Sequence, residues 1–312
     1  MNKLSKLSIN SLTVAFFFFI DKIFAFVRTG IISRFYTDEV HLPDVLFALI
    51  SGGALAMAFV PLLTEYLTTK DRAAAWDLFS RVANFGFVVT GFFALLIFIF
   101  AQQIVDANLG IAPGFGEEQR KLLAELMRLN LIGTMIFSIS GLVMASLHAN
   151  QHFIFPAIAP SMYNVGQILG AIFLVPRFGI HGLVYGVIIG AAFHLLIQLP
   201  MLFKFGFKWT PSLDIRHTGL IEALKLMAPR LLTMGGIQII FIARDNLASR
   251  LDQVGAVTSL TYGWMIMQVP ETILGTAIAT AMLPALSELA SKQDWQNFRA
   301  SVERALQVLI SL

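Results

Sequence analysis

The sequence contains no cysteine, which excludes disulfides, thiolate nucleophiles and thiolate-held metal sites. Charge is scarce: Asp, Glu, Lys and Arg make up 13% of the chain, about half the usual share for a soluble domain. No GxxxxGK[ST] run occurs, so no P-loop nucleotide motor is expected. The six histidines are scattered without HExxH spacing, so no metal site is expected. No nucleophile–base set marks an enzyme, and no cofactor is called for. No cleavable leader is expected either. The first apolar stretch, Leu7 to Phe35, is too long for a signal and lacks a small-x-small cleavage site. It reads as a retained first membrane helix.

What fills the chain is apolar. Hydrophobic residues make up 57%, Phe alone occurs 28 times, and the mean hydropathy is +0.75. A soluble fold of this size has no way to hide that much apolar surface. The fold class expected is therefore all-α, a polytopic membrane helix bundle. A spanning helix needs about 20 mostly apolar residues. The segments that qualify are Ser8–Phe35, Pro43–Tyr66, Phe79–Gln102, Leu122–Leu147, Pro156–Pro176, Gly182–Leu202, Leu220–Arg250 and Ala256–Leu286. An amphipathic stretch from Pro284 to about Arg304 reads as a cytoplasmic surface helix, with Glu288 and Lys292 at a favourable i,i+4 spacing. A ninth span begins near Phe298 and the chain stops inside it, at Leu312. Two readings stay open there: a longer protein continues, or a short tail helix lies on the membrane. With the N-terminus in the cytoplasm, twelve Lys and Arg fall in inside segments and six in outside ones, so the positive-inside rule favours that orientation.

Ionisable groups at membrane depth cost about 2.5–3.5 kcal/mol on insertion scales and normally face a cavity or a partner. The first helix carries Asp21, Lys22 and Arg28. Asp21 and Arg28, seven residues apart, project within about 20° of each other, while Lys22 points about 100° away from Asp21. This cluster is either self-neutralising or the cationic wall of a polar cavity. The seventh span carries Arg230, Gln238, Arg244 and Asp245. Its two arginines lie within about 40° of one face and about 21 Å apart along the axis. Arginine suits phosphate because its planar fork binds bidentately; the bland reading is that both snorkel to the interfaces. Asp245 is expected to pair Arg244 or a residue of the first helix. The second span opens with Pro43 and Asp44, and the eighth holds Gln268, Pro270 and Glu271. A mid-span Pro–Glu pair loosens a helix and places a carboxylate near the cavity.

Several runs resemble the MurJ/MviN lipid II flippases. They are FAFVRTGIISRFY, GGALAMAFVPLLTEYL, APGF, HANQHFIFPAIAPSMYN, GLVYGVIIGAAFHLLIQLP and LGTAIATAMLPALSELA, and they follow family order along nearly the whole chain. The resemblance implies the MOP exporter superfamily, a MATE-like fold of two pseudo-symmetric six-helix lobes around a cationic cavity. Residues 1–205 would form the first lobe and 206–312 an incomplete second. Arg28 falls on the second arginine of an SRxxGxxRD-like first-helix motif, Lys22 on the first, and Thr29 replaces its acid. Asp38 resembles the acid of a TDAF element, and Asp44 takes the usual Asn place after Leu-Pro. Phe47 and Ala48 stand where many members carry Arg-Arg, and Trp264, Met265 and Gln268 replace an Asp, an Arg and a Glu.

The function expected from the resemblance is transport, not catalysis: flipping of lipid II by alternating access across the cytoplasmic membrane. The implied substrate is a lipid-linked pyrophosphate carrying a sugar head group. Membrane lipids and peptidoglycan-synthesis proteins are the candidate partners; nucleic acid is not. The substrate-binding candidates are Lys22, Arg28, Arg244, Asp38, Asp44, Gln268 and Glu271. Competing readings are an exporter of another polyprenyl-linked sugar, a drug or cation antiporter, and a non-transporting scaffold. A cation exporter calls for an anionic cavity, which the surplus of buried Lys and Arg opposes. Because rocking needs two lobes, these 312 residues alone are expected not to transport as a monomer, with Arg230, Arg244, Gln268 and Glu271 facing lipid uncovered.

Overall fold

A computed structural model of the chain describes residues 16–17, 20–21, 23–25, 27–29, 31, 53–107, 114–251, 255–270 and 293–311. Among these residues the structure is helical, without strands. It divides into two compact units, Met1–Val254 and Gly255–Leu312.

In the first unit, the described helical residues within 16–31 are α1. They are followed by α2 (Gly53–Thr69), α3 (Arg72–Asp106), α4 (Glu117–Ala149), α5 (Ile154–Phe178), α6 (His181–Lys204) and α7 (Thr218–Ala248). The helices α3, α4, α5 and α6 are each long and apolar enough to cross a membrane. The Asp71 carboxylate accepts from the Ala74 amide at 2.7 Å and starts α3. Its 35 residues span about 52 Å, well beyond the roughly 30 Å of a hydrocarbon core. That surplus explains why the apolar run begins at Phe79 but the helix begins about two turns earlier, at Arg72. Glu117 and Glu118 occupy the first turn of α4, where the helix dipole favours anions.

Lipid is as apolar as leucine, so these helices are held together by close packing rather than by hiding from water. Gly166 and Gly170 of α5 lie directly on Gly190 and Gly186 of α6, so close that a Cβ on either side would meet backbone atoms. Within α5 the turn Gly170–Leu174 widens to π geometry immediately before Pro176, whose ring is incompatible with a regular turn. Gly179, at φ 59 and ψ −144, then reverses the chain in a conformation open essentially to glycine alone. In α6 the turn at Ile197–Gln198 precedes Pro200. The Gln198 side chain repairs it by donating to the His194 carbonyl at 2.6 Å.

The main core joins Phe59, Leu62 and Leu63 of α2 with Trp76 and Phe79 of α3, Leu142 and Val143 of α4, Leu202 of α6 and Leu220 and Met227 of α7. The opposite flank of α3, with Phe87, Phe92, Phe93 and Phe98, stays exposed, as a lipid-facing surface does. Alternate connections gather at opposite ends of this bundle. At one end Arg72 and Trp76 both donate to the Phe205 carbonyl, and the His152 ring meets the Phe205 ring. At the other, Arg120 pairs with Asp106, His181 with Glu125, and the Gly114 amide donates to Ser249 Oγ.

The second unit holds α8 (Ala256–Pro270) and α9 (Trp295–Ser311). The expected surface helix from Pro284 to Arg304 does not run unbroken: Gln293 adopts φ 55, and the Asp294 carboxylate caps a new helix through the Asn297 amide. The polar residues Arg299 and Glu303, paired at 2.9 Å, and the apolar residues after them therefore share one helix. It begins at Trp295 rather than near Phe298, because a capping Asp sets the start of a helix where hydropathy does not. Glu288 and Lys292 lie outside the described residues.

Candidate functional site

The charged face of α1 is built against α5. Asp21 is half-buried, and its Oδ1 accepts a hydrogen bond from Asn164 Nδ2 at 2.8 Å. Asn164 is only 5% exposed and sits in mid-helix four residues after Pro160, whose carbonyl its side-chain amide approaches at 3.4 Å. Two turns along α1, Arg28 is also half-buried and engaged. The sequence places Asp21 and Arg28 on one stripe but does not reveal that α5 supplies the partner. The signal available was the Asn that closes PSMYN, a strong hydrogen-bonding residue in an otherwise apolar span.

The interior of the first unit is more polar than its composition announces. Asn130, Thr134, Ser140, Ser161, Asn164, Gln167, His194 and Gln198 are all buried. Ser140 Oγ lies 2.6 Å from His194 Nδ1, and Gln198 Nε2 is 3.2 Å from the same hydroxyl. This triad locks α4 to α6, so His194 is a core histidine; among the described residues no group of three His, Asp and Glu could hold a metal ion. Ser161 Oγ, Gln167 Nε2 and Asn130 Oδ1 are buried with no hydrogen-bond partner among the described residues.

The second charged group lies near the end of α7. Arg244 donates from Nε and Nη2 to Asp245 Oδ1 at 2.8 and 2.7 Å, and its guanidinium stands 5.0 Å from the centre of the Phe241 ring. Asp245 is 3% exposed, and Asn246 and Ser249 beside it are buried. The expectation that Arg244 faces lipid uncovered is thus overturned: its neighbour in sequence takes up the charge, and Gln238 on the same helix is buried too. Of the two partners expected for Asp245, Arg244 or a residue of the first helix, the structure shows Arg244. Lys22, Asp38, Asp44 and Glu271 lie outside the described residues, and Gln268 and Arg230 are described only as helical backbone.

A profile of the family described as lipid II flippase MurJ matches residues 30–312. The chain belongs to this family. The MurJ relatives include the lipid II flippase MurJ of Burkholderia cenocepacia, 28% identical over 318 residues that cover 96% of this chain and 61% of that protein. The probable lipid II flippase MurJ of Vibrio cholerae is 31% identical over 260 residues, covering 79% and 48%. A solved lipid II flippase MurJ in an inward closed conformation superposes with a TM-score of 0.74 at 22% identity, over 95% of this chain and 62% of the other. That likeness establishes the MurJ fold. The chain spans about three fifths of the length of the first of these relatives.

Proposed function

We propose that this MurJ-family chain takes part in flipping lipid II from the cytoplasmic to the outer leaflet of the cytoplasmic membrane by alternating access. The reading rests on membership of the family over residues 30–312. It is supported by a half-buried Arg28 on a membrane helix, with an acid on the same stripe held by a buried Asn. Transport rather than catalysis fits a bundle whose polar groups line helix interfaces. Residues 1–205 would act as the first lobe and 206–312 as the beginning of the second, with the N-terminus in the cytoplasm. Lys22, Arg28 and Arg244 would hold the pyrophosphate, bidentately where arginine does so. Asp38, Asp44, Gln268 and Glu271 would line the path. Peptidoglycan-synthesis proteins are the natural protein partners of such a step.

The test is complementation. Cells depleted of their own lipid II flippase should survive when the full-length protein is expressed and lyse when it is not. Survival restored by a polyprenyl-sugar exporter assay but not by this one would reassign the substrate.

A further inference from the structure

The seam between α3 and α4 holds two arginines in different ways. Its antiparallel register sets Asp106 of α3 beside Arg120 of α4, and Phe98 beside Arg128. Arg120 has an acid, Asp106, at 3.5 Å, and Gln102 Nε2 donates to the same carboxylate at 3.0 Å. Arg128 has no such acid among the described residues. Its Nε donates to the Phe98 carbonyl at 3.0 Å, and its guanidinium stands 5.8 Å from the centre of the Phe98 ring. Two carboxylates of its own helix are engaged elsewhere, Glu125 with His181 and Glu117 with Lys121.

Arg128 stands at membrane depth on a lipid-facing flank. Phe98 lies about 6 Å along the axis inside the end of the α3 apolar run at Gln102, and Arg128 about 9 Å inside the start of the α4 run at Leu122. Leu95, Phe98 and Ile99 share one face of α3, and Ile132 shares the Arg128 face of α4; all four are more than half exposed. Helical side chains tilt toward the N-terminus, so Arg128 reaches toward the Glu117 end of α4, where headgroups begin. A guanidinium there without an anion is costly, and one bond to a neutral carbonyl uses only part of its fork.

We propose that the α3–α4 seam seats one bilayer phospholipid with an anionic headgroup. Arg128 holds its phosphodiester, and Leu95, Phe98 and Ile132 carry an acyl chain. The planar fork of arginine matches the two free oxygens of a phosphodiester. The Phe98 carbonyl occupies Nε and leaves the Nη groups for the ligand. The contrast with Arg120 selects the charge: an acid beside the arginine would favour a headgroup carrying its own cation, and Arg128 lacks that acid. The seat uses none of the residues assigned to the transport substrate and does not depend on the flippase reading.

The test uses the protein purified and delipidated in mild detergent, with phosphatidylglycerol as the probe. Native mass spectrometry should show one phosphatidylglycerol retained at concentrations where the diacylglycerol of the same chains is lost. Arg128→Gln should weaken that binding about tenfold or more, the loss expected for one charge-assisted bond, and Arg128→Lys should weaken it less. Lys121→Gln, which removes a cation paired to Glu117 at the same end, should leave it almost unchanged. If Arg128→Gln fails to fold, the unsubstituted protein decides: phosphatidylglycerol with a photoreactive headgroup should label α3 near Phe98 or α4 near Arg128. Unchanged binding in Arg128→Gln, an equal loss in Lys121→Gln, diacylglycerol bound as tightly, or label confined to other helices each overturns the proposal. So does displacement of the phosphatidylglycerol by an equimolar lipid-linked pyrophosphate, which makes the seat a substrate site.

Discussion

At the scale of single residues, the arginines differ in the partners that hold them. Arg244 is bound twice to Asp245 and backed by Phe241. Arg81 is bound to Asp77 at 2.7 Å and to Asp214 at 3.5 Å. Arg28 is the candidate for transport, so Arg28→Ala should accumulate near normally and fail to complement. A drop in accumulation would make it a structural pair instead. Arg28→Lys should restore only part, because a point charge does not reproduce a bidentate fork. His152, in the connection before α5, is a separate case. Burial, and secondarily the charge of Lys204, hold its imidazole below the usual histidine range. A base with a depressed folded-state value binds fewer protons folded than unfolded, so its contribution to stability is present above the unfolded value of about 6.5 and is lost as pH falls. Nuclear magnetic resonance of labelled histidine should give His152 a midpoint below that value, and Lys204→Ala should move it up.

At the scale of elements, α5 and α6 meet through glycines because backbones in lipid gain most by approaching closely. Gly190→Leu places a side chain against the Tyr163 backbone and ring. Overpacking of this kind costs about 1–3 kcal/mol, and the midpoint of thermal unfolding in mild detergent should fall accordingly. Among the described residues nothing lies within 4 Å of a Cβ added at Gly235, so Gly235→Leu should leave the midpoint almost unchanged. Equal effects of the two would mean that the glycine contact does not hold α5 to α6. The connection from α6 to α7 is fastened to the overlong start of α3. Asn84 Nδ2 donates to the Thr210 and Ser212 carbonyls, Trp209 Nε1 donates to Asn84 Oδ1, and the Thr210 amide donates to Ser80 Oγ.

At the scale of the whole molecule, the alternation of connections between the two ends of the first unit carries the topology, and the charge bias of the sequence predicts its orientation. Cysteines introduced at Glu118 and Lys204 should label from opposite sides of the membrane, Glu118 from outside. Both residues are exposed, and the native chain offers no background thiol. Labelling of both from one side would sink the assignment. Gly114, in the connection before α4, is unsuitable: a Cβ there collides with the Ser249 carbonyl.

The membrane class, four of the expected spans and the family were legible in the sequence. Each follows from local quantities: hydropathy over about 20 residues and the order of short runs. The stripe of Asp21 and Arg28 was legible too, because helical periodicity is local. What the tertiary structure alone decided is who meets that stripe. The bond from Asn164 joins residues 143 apart in the chain, and the Ser140–His194–Gln198 triad depends on the approach of α4 to α6. In a span, hydropathy registers each of these polar residues only as a weaker apolar signal. Their role is set by which helix the glycines allow to come close, and that is a property of packing.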